Sequence, residues 1–434
     1  MAKRERRAIR MRRQTQRLFL TVCRTAWLAL LVAGCGAPAG VARFAAPDVG
    51  HPTVRVLLPF ADSTFTITGP RRFVTQGTTS TGGEVVYYCS RPVQVTFRDG
   101  RWTLAEKKRI VLETDLVQVI VYPKDPDDLL TLNGQSYPGC LLFYPPKYSG
   151  TLPQVVNRAH VDRYLLGVLP SELGQRTENE LEAVKAQAVA ARTYALSRLG
   201  QYGSAEYDLR ADVQDQMYAG VERTPDWIRK AVAQTRGEVL RFAGNLIDAY
   251  YHSTCGGFTD NIEDVWPKPP QPYLVAADDD TFCRWSKYYT WTEIWDASTL
   301  EKNLAAYLRT DSTAPFSSFD RITALRTEGK TAGGRGRRLV VVTDRGPWEI
   351  SADRIRWALG RPSTGGAVLE SARFEIRPEY DESGNLARLT AQGGGYGHGV
   401  GMCQCGMIGR ARAGQGYREI LAHYYPGATI EKTY

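Results

Sequence analysis

The sequence predicts an α+β protein with a strand-rich N-terminal module, a helix-containing core with a cleft, and a β-rich insertion around residues 320–376. Short apolar runs separated by turn residues fill residues 53–149 and have no helical period. From Ala159 the apolar spacing becomes helical, and strand-like runs return at 321–376. The chain has 434 residues, 43% hydrophobic and 23% charged, which is a globular composition with enough residues for a buried core.

Residues 1–34 predict a signal peptide. Nine basic side chains and one acid precede the apolar run TAWLALLVA at 25–33, which is too short to span a bilayer. The run ends in VAGC at 32–35, which resembles a bacterial lipobox. We therefore expect an exported lipoprotein of the cell envelope, anchored to the membrane by a lipid at Cys35. A plain secretory signal and an uncleaved anchor are the alternatives. Residues 35–52, rich in Gly, Ala and Pro, are expected to form a flexible tether.

The basic charge of the chain belongs to this leader. The formal net charge is +9, but from Cys35 onward 46 basic side chains face 45 acidic ones. A nucleic-acid-binding domain concentrates basic residues on its folded surface. The sequence therefore predicts no nucleic-acid partner.

Six cysteines follow Cys35, at positions 89, 140, 255, 283, 403 and 405. Disulfides persist outside the cytoplasm, so an exported chain favours pairing. Cys89 with Cys140, and Cys255 with Cys283, are candidate pairs because each pair lies within one region of the sequence. The sequence alone does not choose among the pairings.

Residues 53–152 are assigned to the N-terminal module and residues 153–432 to the helix-containing core. The strand-like runs of the module are VRVLLPF, TFTITG, EVVYYC, VQVTF and IVLETDLVQVIVYP. Within this core, the segment from Ala159 to Leu169 leads into PSELG at 170–174. A long helix is then expected from Thr177, where Glu180 completes a capping box, to a C-terminal cap at Gly200.

Two cations stand out on this long helix. Its predicted apolar stripe consists of Leu181, Val184, Ala188, Ala195 and Leu199. Lys185 and Arg192, seven positions apart, lie almost above one another beside that stripe. They are either long side chains at the edge of the core or two charges that point into a cleft.

The remaining elements alternate between helix and strand. PDWIRKAVAQTRGEVLRF at 225–242 predicts a helix and a strand, and LIDAYYHST predicts another strand. Residues 321–376 predict the strands RITALRT, RRLVVVTD, WEISA and ARFEI, with one short helix at DRIRWALG. A glycine-dense segment at 393–406 precedes a helix that ends near Tyr425.

Few residues carry a chemical signal of their own. The sequence has no GxSxG elbow, Walker loop, HExxH or CxxC pair. Glu172 follows Pro170 and Ser171 in an expected loop ahead of the long helix, where a carboxyl with a raised pKa at the mouth of a cleft suits a general acid. The alternative is an acid that stabilises the first turn of a helix. His252 and His398 stand in YHSTCGG and GYGHGVG, where they either contact a ligand or lie in structural turns.

Four segments, in order between about 160 and 432, resemble the SpoIID/LytB family of bacterial cell-wall proteins, whose best-studied members are sporulation lytic transglycosylases. They are YLLGVLPSELG with ELEAVKAQAVAARTYAL, DQMYAGVE, AYYHSTCGGFTDNIEDVW, and GGGYGHGVGMCQCGMIGRARAGQGYREILAHYYPGATI. The resemblance implies that residues 153–432 form a catalytic domain that acts on peptidoglycan glycan strands.

The resemblance also implies roles for single residues. Glu172 matches the catalytic glutamate of the family's PSE motif. Lys185 and Arg192 match two cations implicated in activity, which favours the cleft for both. The other positions expected to line the substrate groove are Tyr194, His252, Ser253, Gly257, His398 and Gln404.

The implied reaction needs a single carboxylate. Glu172 protonates the glycosidic oxygen after N-acetylmuramic acid and then accepts the proton of the attacking C6 hydroxyl, which leaves a 1,6-anhydro end. A hydrolase generally needs a second carboxylate, because it must also activate water or form a covalent intermediate. Two cations beside Glu172 would lower its pKa, which conflicts with its role as an acid.

The chain departs from the family pattern at two cysteines. Many members read GHGVGMSQYGA, whereas Cys403 and Cys405 replace the serine and the tyrosine here. Some members bind zinc through cysteine and histidine, which makes His252, Cys255 and Cys283 candidate ligands of a structural zinc. Because these are only three ligands and export favours a disulfide, we expect no metal or other cofactor.

Two alternatives compete with the enzyme. Some family members are described as enhancers of cell-wall amidases, so the chain is alternatively a non-catalytic regulator with an amidase as partner. A glycan-binding envelope protein would keep the groove without turnover. The presence of Glu172, Lys185 and Arg192 together favours the enzyme.

Overall fold

The computed structural model describes residues 51–70, 72–79, 83–148, 151–174, 176–203, 205–222 and 224–434. The leader, Cys35 and nearly all of the tether lie outside these ranges, so the signal peptide and the lipid anchor stay predictions. The described residues form eight α-helices and 24 strands, which confirms the predicted α+β class. In this part of the chain no helix has both the length and the apolar character needed to cross a membrane.

Two sheets make up the strand-rich N-terminal part. Their strands are β1 (Thr53–Leu57), β2 (Thr64–Thr68), β3 (Phe73–Thr79), β4 (Glu84–Cys89), β5 (Val93–Arg98), β6 (Arg101–Glu106), β7 (Arg109–Thr114), β8 (Leu116–Pro123), β9 (Leu130–Leu132), β10 (Gln135–Tyr137), β11 (Cys140–Tyr144), β12 (Gln154–His160) and β13 (Leu209–Arg210). One sheet has the order β13-β1-β12-β11-β8-β3-β4 and the other β10-β9-β2-β5-β6-β7. Phe65 and Trp102 of the second sheet pack against Phe143 of the first, so the sheets share one aromatic core.

The seven-stranded sheet crosses the predicted boundary at residue 152. Strand β1 pairs with β12 on one side and with β13 on the other, and both partners follow that boundary. The module and the helical core are therefore joined by continuous backbone hydrogen bonding.

The candidate disulfide between Cys89 and Cys140 is wrong. Cys89 lies on β4 and Cys140 on β11, and β3 and β8 separate these two strands. Neighbouring strands lie about 4.8 Å apart, so the two thiols are much too distant to bond. Cys89 and Cys140 are free buried cysteines.

The longer helices fall within residues 161–234 and 297–308, and a helical pair lies at 404–424. They are α1 (Val161–Leu173), α2 (Leu181–Ser197), α3 (Asp226–Gln234), α4 (Ile262–Val265), α5 (Ala297–Leu308), α6 (Arg354–Leu359), α7 (Gln404–Arg412) and α8 (Tyr417–Tyr424). Helix α2 packs against α1, α3, α7 and α8. It is buried on nearly all sides, rather than along one stripe as predicted, because its many alanines let neighbouring helices approach from every direction.

The capping box predicted ahead of α2 is present one turn earlier than the helix itself. The Thr177 N–H donates to Glu180 Oε2 at 3.1 Å. Thr177 is the N-cap of a short 3₁₀ turn, Glu178–Glu180, which continues directly into α2. The helix ends at Ser197, and irregular turns lead from there to Gly200.

The remaining strands are short or belong to the insertion. They are β14 (Glu238–Phe242), β15 (Asn245–Leu246), β16 (Tyr251–His252), β17 (Trp291–Asp296), β18 (Ile322–Lys330), β19 (Gly336–Thr343), β20 (Gly346–Ser351), β21 (Phe374–Tyr380), β22 (Leu386–Gly393), β23 (Met402–Cys403) and β24 (Thr429–Lys432). Strand β14 pairs in antiparallel with β24, the last strand of the chain, and β16 pairs in parallel with β23.

The insertion is wider than the predicted 320–376. Strands β17 to β22 with helices α5 and α6 enclose their own core, which includes Trp295, Leu304 and Trp348. A buried ion pair of 2.6 Å between Arg335 of this insertion and Asp260 attaches it to the helical core. The sequence pattern missed its first strand and helix because they lie before the run of clear alternation.

Candidate active site around Glu172

Glu172 occupies the last turn of α1, and the prediction that it lies in a loop ahead of a helix is wrong. Pro170 stands inside the same helix, and Gly174 ends it with a positive φ of 64°. A carboxylate at the C-terminal end of a helix faces the negative end of the helix dipole. The helix therefore disfavours the charged form of Glu172 instead of stabilising it.

Three neutral groups hold the half-buried carboxyl of Glu172. The backbone N–H of Met217 donates to Oε1 at 2.8 Å, and the Gln404 amide donates to Oε2 at 3.3 Å. The Tyr251 hydroxyl is a third neutral donor beside the carboxyl and lowers its pKa. These groups bring together the end of α1, the segment after β13, strand β16 and the start of α7.

Burial raises the pKa of Glu172 above its ordinary value, although the three neutral donors act in the opposite direction. No cation among the residues that the structure describes contributes to this balance. The site therefore favours a carboxyl that is protonated to a higher pH than usual, and three donors are in place to stabilise the carboxylate once the proton leaves.

A buried polar chain supports the carboxyl from behind. The Gln216 amide donates to the Tyr251 hydroxyl at 2.9 Å and to the Ala191 carbonyl of α2, and its oxygen accepts from Tyr164 at 3.1 Å. Tyr164 and Gln216 are fully buried. Gln216, Met217 and Tyr251 were not predicted as site residues, although all three lie in the motifs DQMYAGVE and AYYHST that carry the family resemblance.

Arg192 does not line a cleft, so the prediction that it binds substrate is wrong. Its side chain is 0% exposed and forms an ion pair with Asp162 of α1 at 2.7 Å. It also donates to the Glu238 carbonyl of β14 at 3.1 Å. The second cation, Lys185, forms an ion pair with Glu182 at 2.6 Å and lies over the ring of Tyr417 in α8.

Helix geometry explains why both cations miss the site. Tyr194 packs on Tyr251 and therefore marks the face of α2 nearest Glu172. Lys185 is nine residues from Tyr194, which is about 180° around the helix. The two cations thus belong to the opposite face, and the expected conflict between them and the acid role of Glu172 does not arise.

Tyr194 lies behind the site. Its hydroxyl donates to Asp215 at 3.1 Å, and the Arg198 guanidinium lies over its ring. Asp215 also accepts from Gln201, from Tyr202 and from the Arg210 N–H, so both of its oxygens are occupied. Tyr194 is buried, and its contacts fix Asp215 and the tyrosine that touches Glu172.

His252 and His398 pack against each other, with ring centroids 5.4 Å apart. His252 Nδ1 donates to the Val400 carbonyl, and His398 Nε2 donates to the Tyr251 carbonyl at 3.0 Å. Burial lowers the pKa of His398 to about 4 and that of His252 well below its ordinary value. Both are neutral structural histidines at neutral pH, and His398 positions the backbone of the tyrosine that bonds Glu172.

Ser253 and Gly257 contribute backbone hydrogen bonds to the structure around the site. The Ser253 carbonyl accepts the Cys405 N–H at 2.9 Å, which joins β16 to the start of α7. The Gly257 N–H donates to Cys255 Sγ at 3.3 Å. Gly257 has a φ of 109°, a conformation that residues with a side chain rarely adopt.

An exposed aromatic ring lies beside this assembly. Trp285 is 43% exposed, and its Nε1 donates to the Cys405 carbonyl at 3.1 Å, one residue after Gln404. The guanidinium of Arg412 lies 4.3 Å from the ring centroid, and that of Arg176 lies 5.9 Å from it. Trp285 was not predicted as a site residue, because an isolated tryptophan in a loop belongs to no sequence pattern.

The structure shows no Cys255–Cys283 disulfide and changes the set of candidate zinc ligands. Cys255 Sγ and Cys283 Sγ are 3.5 Å apart and not bonded. His252 does not belong with them, because neither of its ring nitrogens is among the ligand atoms that cluster around these two sulfurs. Cys403 and Asp279 take its place, and the ligand atoms of these four residues lie within 4.8 Å of one another.

Comparison with known proteins agrees with the motifs around Glu172. Residues 149–242 match the family model for the stage II sporulation protein SpoIID, and residues 280–401 match a domain of unknown function, DUF8618. The second match covers the insertion with its separate core. The first ends before Gln404, so it covers only part of the site.

Individual relatives extend across most of the chain. An uncharacterized protein of Brachyspira hyodysenteriae is 33% identical over 70% of this chain and 75% of its own length. An amidase enhancer of Bacillus subtilis is 31% identical over 61% of this chain but only 40% of its own length. Stage II sporulation protein D of Bacillus amyloliquefaciens is 30% identical over 64% of this chain and 76% of its own length. The chain therefore belongs to the SpoIID family.

Proposed function

We propose that the protein is a peptidoglycan lytic transglycosylase in which Glu172 is the single acid and base. Its substrate would be a glycan strand, cleaved after N-acetylmuramic acid to leave a 1,6-anhydro end. The observation that carries the proposal is a half-buried carboxyl with a raised pKa, held by neutral donors only.

The donors around Glu172 suit a group that acts first as acid and then as base. While the carboxyl is protonated, it can give its proton to the glycosidic oxygen. The resulting carboxylate is stabilised by the Met217 N–H, the Gln404 amide and the Tyr251 hydroxyl. It can then accept the proton of the C6 hydroxyl as that oxygen attacks the sugar, which returns the carboxyl to its starting state.

A single carboxylate fits an intramolecular attack better than hydrolysis. A glycosidase that uses water generally requires a second Asp or Glu to activate it. Asp215 stands two residues before the donor Met217 in the sequence, and both of its oxygens are occupied by Tyr194, Gln201, Tyr202 and the Arg210 N–H. It is held as a structural group, which leaves Glu172 to perform both proton transfers.

Trp285 offers a surface for the sugar rings. Carbohydrates present apolar C–H faces, and an exposed tryptophan provides a flat apolar surface with a polar edge. Arg176 and Arg412 flank the ring, so hydroxyl and carbonyl groups of the sugar would meet hydrogen-bond donors beside it. We place a bound glycan across Trp285 and toward Glu172.

The proposed setting is the cell envelope. A lipid at Cys35 and the tether up to residue 52 would hold the folded part at a membrane surface, next to the peptidoglycan. The family relationship supports a cell-wall role of this kind, and a wall amidase is a candidate protein partner.

The decisive experiment compares the wild-type chain with Glu172→Gln on purified glycan strands, both intact and stripped of stem peptides, with products identified by mass spectrometry. We expect 1,6-anhydro ends from the wild type and none from the variant. Glu178→Gln is the matched control, because Glu178 is exposed and pairs only with Lys230 at the surface. Reducing ends without anhydro products would refute the proposed reaction in favour of hydrolysis.

A second candidate function is enhancement of a cell-wall amidase. It is favoured by the relative named amidase enhancer, which is 31% identical over 297 residues. Glycan binding without cleavage by the wild-type chain, together with faster release of stem peptides when an amidase is added, would support this function over the transglycosylase.

A further inference from the structure

A cluster of three thiols and one carboxylate is buried immediately behind Gln404. The ligand atoms of Cys255, Asp279, Cys283 and Cys403 all lie within 4.8 Å of one another, and all four residues are fully buried. We propose that these four residues bind one zinc ion in a closed structural site.

The spacing of the ligand atoms fits a tetrahedral ion better than a disulfide. Zinc–sulfur bonds of about 2.3 Å at tetrahedral angles hold two sulfurs about 3.8 Å apart. Cys255 Sγ lies 3.5 Å from Cys283 Sγ and 3.2 Å from Asp279 Oδ2. A disulfide requires two sulfurs about 2.05 Å apart and would use neither the third thiol nor Asp279 Oδ2.

Backbone amides point at the sulfurs, as they would at thiolates. The Gly257 N–H donates to Cys255 Sγ at 3.3 Å, and the N–H groups of Cys255 and Gly406 both donate to Cys403 Sγ at 3.2 Å. A sulfur that accepts two N–H groups is arranged for negative charge, which a metal ion would neutralise. Gly406 lies in the first turn of α7, so the helix N-terminus adds to this field.

Asp279 is oriented so that one oxygen is free for the ion. Its Oδ1 accepts from the Tyr424 hydroxyl at 2.5 Å and from Arg410 Nε at 3.3 Å. Its Oδ2 faces the thiols and contacts Cys255 Sγ. A metal-bound carboxylate commonly has its second oxygen held by such outer donors. A Cβ at Gly406 would overlap both Asp279 Oδ2 and the Tyr424 hydroxyl, so glycine is required there.

The donor set selects zinc among common metals. Three thiolates exclude calcium and magnesium, which prefer oxygen ligands. The carboxylate disfavours Cu(I), which prefers sulfur alone, whereas four-coordinate zinc accepts both donor types. Four protein ligands leave no open position, so the site is structural.

The site joins three segments that the sequence keeps far apart. Cys255 follows β16, Asp279 and Cys283 lie in the loop before the insertion, and Cys403 precedes α7. Because Gln404 is the next residue, the ion would fix the start of the helix that reaches Glu172. The inference does not rest on the proposed reaction, since metal binding can be measured without any substrate.

The test is the metal content of the full-length chain, purified in detergent without chelators and with reductant. We expect one zinc per chain by mass spectrometry of the elements, and a fall in Tm when a strong chelator removes it. Cobalt(II) added to the chelated protein should give the absorption bands of tetrahedral cobalt bound to thiolates. Cys283→Ser and Asp279→Ala should lose zinc.

Matched controls separate metal binding from general damage. Cys405→Ser changes the cysteine two residues from Cys403 but outside the cluster, and Cys89→Ser changes one in the N-terminal sheet, so both should retain one zinc. If Cys283→Ser fails to fold, Asp279→Cys supplies a four-thiolate site that should still bind zinc and shift the cobalt bands. Wild-type protein that is folded, free of metal and unable to take up cobalt would overturn the proposal, as would a Cys255–Cys283 disulfide mapped in protein purified without reductant.

Discussion

The side-chain amide of Gln404 donates a hydrogen bond to the carboxylate of Glu172 at 3.3 Å, although 232 residues separate them in the chain. Gln404 begins helix α7 and Glu172 ends helix α1. The start of one helix therefore supplies a donor to a carboxyl that the end of another helix disfavours as an anion. This balance is the basis of the first two predictions.

Glu172→Gln should abolish cleavage while leaving the fold intact. Loss of a general acid and base lowers rates by about 10² to 10⁴. Burial raises the pKa of Glu172 in the folded state, so its ionisation costs stability as the pH rises through the unfolded and then the folded pKa. The neutral variant should thus have a Tm at pH 7 equal to or above that of the wild type, with no such advantage at pH 3. A variant with a clearly lower Tm at pH 7 would contradict the prediction.

Gln404→Met should shift the pH dependence of cleavage upward. The variant loses a donor to the charged form of Glu172, so the pKa of that carboxyl rises further. Because the first step needs the protonated acid, the fall in activity on the alkaline side should move to higher pH. The pH profile of kcat/KM measures the shift, and Gln392→Met, on the exposed surface of β22, is the control. An unchanged profile would show that Gln404 does not act on Glu172.

Arg192→Met should lower the free energy of unfolding without changing the activity of the folded protein. The variant leaves Asp162 partly buried and without its ion-pair partner, which costs about 3–5 kcal/mol of unfolding free energy. Denaturant titration measures the loss, and the double variant Arg192→Met with Asp162→Leu should recover part of it. Activity per folded molecule, measured well below the Tm, should stay near the wild-type value. A fully stable but inactive Arg192→Met protein would restore a substrate role for this arginine.

Trp285→Ala should weaken glycan binding more than it slows cleavage. The ring is exposed and makes one hydrogen bond, to the Cys405 carbonyl, so its removal leaves the fold largely unchanged. We expect KM to rise about tenfold, equivalent to about 1.4 kcal/mol, with kcat changed less than KM. Trp357→Ala is the control, because Trp357 is 51% exposed on helix α6 of the insertion. Equal effects of the two substitutions would argue against a sugar surface at Trp285.

Local patterns predicted much of the secondary structure. The alternation in TFTITG and VQVTF appears as β2 and β5, which pair with each other, and DRIRWALG contains the short helix α6. These elements follow from a period of two or 3.6 residues, which depends on neighbours in sequence. The extent of the insertion was harder to predict. It includes β17 and α5, whose position depends on packing against Leu389 and other residues distant in the chain.

The sequence by itself determined the α+β class, most strands and helices, and, through four ordered motifs, the family and the identity of Glu172 as the candidate acid. Only the tertiary structure decided what surrounds that carboxyl. It placed Glu172 at the end of a helix, Lys185 and Arg192 on the far face of α2, and Asp279 among three cysteines. The reason is physical: burial and charge pairing depend on contacts between segments distant in the chain, whereas a motif records only which residues are present and in what order.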